Sequence, residues 1–171
     1  ADAVFPLHWT CLYTAAPPST ILSAELRQEL RKIILRLASE VPSVQRSNVG
    51  GWQLGEDLLQ FSEPPIEQLA PEIATHVRHF VHDLWRSAGK SGTPPRFGLR
   101  LEAWANINRQ GDYNTPHVHP SSHISGVLYL DESGVEHDDA GCIQFRKPYS
   151  DLRAAVHEAG EPRLSHWWRS R

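Results

Sequence analysis

At 171 residues the chain is long enough to bury a full core as one domain without covalent staples. Its apolar content is 40%, its charged content 22% and its formal net charge −3, so it has no basic excess of the kind that marks nucleic-acid or anionic-membrane binding. No apolar run approaches membrane-spanning length, and the start Ala1-Asp2-Ala3-Val4-Phe5 reads as a mature terminus rather than a targeting segment. Cys11 and Cys142 are far apart in sequence, which argues against a disulfide framework and fits a reducing cytosol, although the two could still pair. A cytoplasmic protein is therefore expected, with neither nucleic acid nor membrane as partner.

Val4 to Tyr13 is expected to be extended, with Pro6 pushing it towards a sheet edge, and Ala15 to Thr20 is a connector. Ser19, Thr20 or Ser23 can then cap a helix running to about Glu40. Ile21, Leu22, Leu26, Leu30, Ile33, Ile34 and Leu37 recur at three- and four-residue steps along it, and Pro42 stops it. Ser43 to Gln60 is rich in turn formers. Within it Asn48-Val49-Gly50-Gly51-Trp52 would let backbone approach something closely, though a plain surface loop is the favoured reading.

A second helix is expected over about Ile66 to Ser87, striped by Ile66, Leu69, Ile73, Val77, Phe80, Val81, Leu84 and Trp85, with a restart or kink at Pro71 and an end at Gly89. His76, His79 and His82 flank that stripe without a carboxylate or cysteine set to complete a metal site, so they are read as a solvent-facing margin. Lys90 to Pro95 separates a helical layer, about 19–90, from a β core, about 96–148. Neither helix can bury its stripe alone, so the expectation is one domain over 1–171.

The β core opens with an alternating strand. Phe97, Leu99, Leu101, Ala103, Ala105 and Ile107 suit packing against the helices. The opposite face carries Gly98, Arg100, Glu102, Trp104, Asn106 and Asn108, and an indole between Glu102 and Asn106 suits a polar cavity better than open solvent. Arg109 to Pro116 has turn chemistry, with Asp112 read as a turn residue after Gly111.

Then comes His117-Val118-His119. Residues two apart on a strand point to one side, so the pair offers two imidazoles to one point in space, as a sheet presents a metal. Imidazole suits Fe, Zn, Cu and Ni alike, and among ten histidines the pair could also be a surface accident. His123 is read as a loop histidine or one supporting a ligand. Ile124 to Leu130 is a second expected strand, Asp131 to Gly141 a polar hairpin loop, and Gly141 to Phe145 a third strand ended by Lys147-Pro148. Cys142 is read as small and buried, not as a nucleophile.

Trp104-Ala-Asn106, Gly111-Asp112-Tyr113, His117-x-His119-Pro120, Ser125-Gly126-x-x-Tyr129-Leu130 and Gly141-x-Ile143-x-Phe145 follow one another in a recognisable order and spacing. Over roughly 45–148 the chain resembles the 2-oxoglutarate- and iron(II)-dependent oxygenases, in the small-protein group related to prolyl hydroxylases. Ser47-Asn48-x-Gly50-Gly51-Trp52 is similar to that group's N-terminal signature. The resemblance implies an α+β fold: a double-stranded β-helix, or jelly-roll, with two helices packed on one sheet.

It implies Fe(II) and 2-oxoglutarate as cofactors, and His117 as the first metal ligand at the start of a core strand. His119 stands where most such oxygenases have Asp or Glu, which departs from the two-His, one-carboxylate set. Tyr129 matches a tyrosine that holds the distal carboxylate of 2-oxoglutarate, and Asn106, Asn108 and Trp104 face the same cavity. Asp151 to Ala159 looks helical or loop-like, and the family's C-terminal strand is expected to be missing. His166, ahead of His157, is the stand-in for its distal histidine. The implied activity is hydroxylation of a small molecule or peptide. The alternatives are a cupin-like metal-binding jelly-roll with other or no catalytic activity, and a metal-free interaction domain.

Overall fold

A computed structural model of the protein describes residues 3–7, 10–14, 21–130, 141, 143–146 and 167–170. The expected connector over 15–20, the loop 131–140, Cys142, the Asp151 to Ala159 segment, His157 and His166 lie outside the described residues. The extended N-terminal segment forms two strands, β1 (Ala3–Leu7) and β2 (Thr10–Thr14), paired with each other.

Helix α1 (Ala24–Glu40) starts where Ser23 Oγ accepts from the Leu26 amide at 3.1 Å, which satisfies a donor that a first helical turn leaves free. It ends at Val41, whose amide donates to Leu37 O at 2.8 Å, and Pro42 behind it has no amide with which to continue. Helix α2 (Pro64–Ser87) begins two residues ahead of the expected start. Its first positions are prolines, which give up only amides that would be unpaired there. It runs through Pro71 without the expected restart and closes with Gly89 at a φ of 70°.

The helices meet over one cluster. Leu30, Ile33 and Leu37 of α1 and Ile66 and Leu69 of α2 are buried together with Leu22, Ala105 and, from the segment between the helices, Leu54 and Leu58. Ala103, Leu128 and Leu130 pack against them. Each large member contributes about 1.5–3 kcal/mol by leaving water. This matches the expectation that the Ala103/Ala105 face lies under the helices. Burial alternates from Leu99 to Asn108, odd positions inward and even positions exposed.

The hydrogen-bonded strands are shorter than the pattern suggested. Beside β1–β2 the described sheets are antiparallel pairs: β3 (Asn48–Val49) with β6 (Tyr113–Asn114), β4 (Trp52–Gln53) with β5 (Asn106–Ile107), and β7 (Ile143–Arg146) with β8 (Trp167–Ser170). The fold is α+β, and a double-stranded β-helix is not formed among the described residues. Phe97 to Ala105 and Ile124 to Leu130 have the composition of strands, but a strand is defined by a neighbour that takes its backbone bonds. Among the described residues neither segment has a paired neighbour strand.

A C-terminal strand, by contrast, does form. Trp168 sits opposite Phe145 and Arg169 opposite Gln144, so Trp167–Ser170 is a strand the sequence did not reveal, although it holds no histidine of the kind expected on the family's terminal strand. Four residues with two adjacent tryptophans show no alternation by themselves, and the register comes from the partner. The chain divides into two compact units, one of 1–4 with 13–130 and one of 5–12 with 131–171. Among the described residues no helix is long and apolar enough to cross a membrane.

Candidate metal centre

The segment Ser47–Gln53 builds the scaffold of the site. Strands β5 and β6 are joined by a tight turn in which the Asp112 amide donates to Arg109 O at 3.0 Å and Asp112 Oδ2 accepts from the Arg109 amide at 2.8 Å. Asp112 is thus the turn residue it was expected to be. The 48–53 stretch runs along the strands on both sides of this turn, β3 on β6 and β4 on β5, and bends between them at Gly50 and Gly51, with φ of 69° and 63°. A Cβ at Gly50 would collide with the Asp112 carboxylate, and one at Gly51 would stand 2.7 Å from Asn108 Oδ1 and from Ile107 O. Two glycines are needed for the backbone shape and for this close approach. The stretch lies at the surface as expected, with Val49, Gly50 and Gly51 exposed, but it is paired on both sides rather than a plain loop.

From this scaffold a short chain of hydrogen bonds leads to the first histidine. Asn108 Nδ2 donates to Asn114 Oδ1 at 3.0 Å, and Asn114 Nδ2 donates to Ser47 Oγ at 3.1 Å. The Thr115 amide donates to Ser47 O at 2.7 Å, and the Thr115 hydroxyl to the same oxygen at 3.2 Å. His117 Nδ1 then lies 2.7 Å from Thr115 O. A carbonyl oxygen can only accept, so this contact calls for the hydrogen on Nδ1, and in the neutral ring that leaves the lone pair on Nε2. That is the tautomer a metal needs from an imidazole bound through Nε2.

The two predicted ligands are brought together. The rings of His117 and His119 lie 4.9 Å apart, centroid to centroid, at 84° to each other. Two imidazoles on one ion at metal–nitrogen bonds of about 2 Å would have centroids roughly 4.5–5.2 Å apart, so the separation fits a shared metal. The pair sits in an unpaired stretch ahead of a turn, in which the Ser122 amide donates to His119 O at 3.1 Å, and not at the start of a strand.

Trp104 packs its indole 5.3 Å from the His119 ring, tilted by 44°, and leaves 44% of itself exposed. This joins the Trp104 face of the alternating run to the histidines. Asn106 and Asn108 share that face, and Asn108 is already engaged with Asn114. Tyr129 is half-buried.

Among the described residues no third His, Cys, Asp or Glu joins the pair in a metal-holding group, and the candidates His157 and His166 lie outside those residues. His79 is exposed and His76 and His82 half-buried; His76 and His79 meet edge-on at 6.1 Å. Sequence reasoning missed Asp57, whose Oδ1 accepts from the Leu59 amide at 3.1 Å and from the Ala103 amide at 3.0 Å and so ties the run of Trp104 to the helical layer. An Asp directly before Leu58-Leu59 carries the signal of a helical cap. It also missed the roles of Ser47, Asn114 and Thr115, because hydrogen bonds across 67 positions have no local signature.

Helices over short paired strands, beside an exposed face on which a histidine pair meets an indole, describe a candidate metal-binding α+β protein. A family model described as "Putative 2OG-Fe(II) oxygenase" matches residues 102–167, which supports the resemblance carried by His117-x-His119-Pro120 and its flanking motifs. No curated protein and no solved structure matches the chain.

Proposed function

We propose that the chain is an iron(II)- and 2-oxoglutarate-dependent oxygenase that hydroxylates a small molecule or a peptide. The observation that carries this reading is the closeness of the His117 and His119 rings, with His117 Nδ1 against the Thr115 carbonyl, inside the stretch matched by the oxygenase family model. His117 would hold the ion through Nε2, with His119 as its neighbour. Bound there, iron(II) would let dioxygen serve as the oxidant of an unactivated C–H bond, with 2-oxoglutarate as the co-reductant that is oxidised to succinate and carbon dioxide.

The protein's own residues have simpler tasks. The Thr115 carbonyl fixes the His117 ring, and the Trp104 indole restrains His119 and covers one side of it against water. Tyr129 is assigned to the distal carboxylate of 2-oxoglutarate on the strength of the family likeness, and Asn106 to the same exposed face. A neutral imidazole at position 119, in place of a carboxylate, leaves one more positive charge on the ion, which favours the anionic co-substrate. Anaerobic addition of Fe(II) and 2-oxoglutarate to the full chain tests the proposal. A weak visible metal-to-ligand charge-transfer band is expected, absent in His117→Ala and His119→Ala. A metal-loaded wild type without the band contradicts it and favours a cupin-like site of other chemistry.

A further inference from the structure

Building on the metal-centre reading, we infer that Asn114 is a positioning residue for His117, acting through Thr115 with Ser47 as its anchor. His117 is exposed, so its Nδ1–H competes continually with water for hydrogen bonds. A bond to Thr115 O holds the ring only if that carbonyl is itself held still. Three contacts do this, and all converge on Ser47: its Oγ accepts from Asn114, and its backbone oxygen accepts from both the amide and the hydroxyl of Thr115.

The far end of the Asn114 carboxamide is fixed by Asn108, so the amide cannot turn over without losing two bonds at once. Ser47 is in turn held by the β3–β6 pairing next to it, and that pairing requires Gly50 to lie against the Asp112 turn. The network therefore passes from a segment far back in the chain, through one side-chain amide and one backbone carbonyl, to an imidazole nitrogen. In water a neutral histidine side chain prefers its hydrogen on Nε2, which would block binding through that atom, and the preorganised Thr115 carbonyl would reverse that preference. Ser47, Asn114 and Thr115 touch no reacting group, and their part is orientation alone.

The test reads the tautomer before any metal is added. Nitrogen-15 NMR of the His117 ring in the metal-free full chain, with the ring neutral, is expected to show hydrogen on Nδ1 in the wild type. In Asn114→Ala and Ser47→Ala the Nε2–H form should gain population, and Mn(II) affinity should fall about 10–100-fold, the usual cost of losing an outer hydrogen bond to a metal ligand. Ser47→Thr keeps the hydroxyl acceptor and should retain the wild-type tautomer and affinity. Circular dichroism of the helices monitors folding. If Asn114→Ala does not fold, the contrast between Ser47→Ala and Ser47→Thr decides. An unchanged tautomer and unchanged Mn(II) affinity in the alanine variants overturn the inference. A wild type with Nδ1–H that binds no Mn(II) overturns the metal-centre reading instead, and the two failures are told apart because the tautomer is read without metal.

Discussion

Helix α1 and the Phe97–Asn108 run both carry their inward face openly in the sequence, yet only the helix forms over its full predicted length. Leu30, Ile33 and Leu37 are buried at three- and four-residue steps, and Leu99 to Ile107 turn inward at alternate positions just as regularly. The difference lies in where the backbone bonds go. A helix satisfies its amides and carbonyls within itself, so composition and a cap suffice. A strand satisfies them on a neighbour, and here β4 covers only Asn106–Ile107, with the Leu54 amide on Ala105 O and the Leu58 amide on Ala103 O extending the contact irregularly. Periodicity thus reports which side faces the core, and pairing depends on residues elsewhere.

The largest expected effect is on the side of the comparison that is complete in itself. Leu30 is 1% exposed, so Leu30→Ala should cost about 2–5 kcal/mol by lost transfer energy and cavity, visible as a lower denaturation midpoint with unchanged m-value. A variant within about 1 kcal/mol of wild type, well below the usual cost of a core cavity, would mean that the helices do not share this core. Next comes Gly50→Ala, on the side that depends on a neighbour. A methyl here meets the Asp112 carboxylate and demands a backbone shape that L residues avoid, costing roughly 1–3 kcal/mol. Hydrogen exchange should rise at the Thr115 amide while the α1 amides stay protected, and a uniform rise would join two regions that the structure keeps distinct.

The smallest effect sharpens the capping side. Ser23→Ala should cost about 1 kcal/mol. The Glu25 carboxyl is held below its ordinary value by its backbone hydrogen bond and by the Ser23 hydroxyl. A depressed carboxyl stabilises the fold above the ordinary carboxylate range, and that help is lost as pH falls through the folded value. The gap between Ser23→Ala and wild type should therefore narrow in acid, and a gap that widens there would contradict the cap.

The same division explains what was legible at the site. His117-x-His119 and Trp104 were readable because their chemistry lies in residue type and short spacing, and their rings do come together. Both helices, their stripes and the stop at Gly89 were local. Illegible were the pairings: Gly50-Gly51 against Asp112, Asn114 against Ser47, Asp57 against Ala103 and Trp167–Ser170 against Ile143–Arg146. Each joins distant positions through backbone or a short polar side chain, and neither end carries a pattern of its own. The family's double-stranded β-helix was anticipated from motif order, and motif order carries no information on how long each strand stays paired.

The most direct measurement is an anaerobic calorimetric titration of Fe(II) into the full chain and into His117→Ala and His119→Ala. One Fe(II) per chain is expected in the wild type, with loss of that binding in both variants. Equal binding by all three proteins would place the metal elsewhere and contradict it.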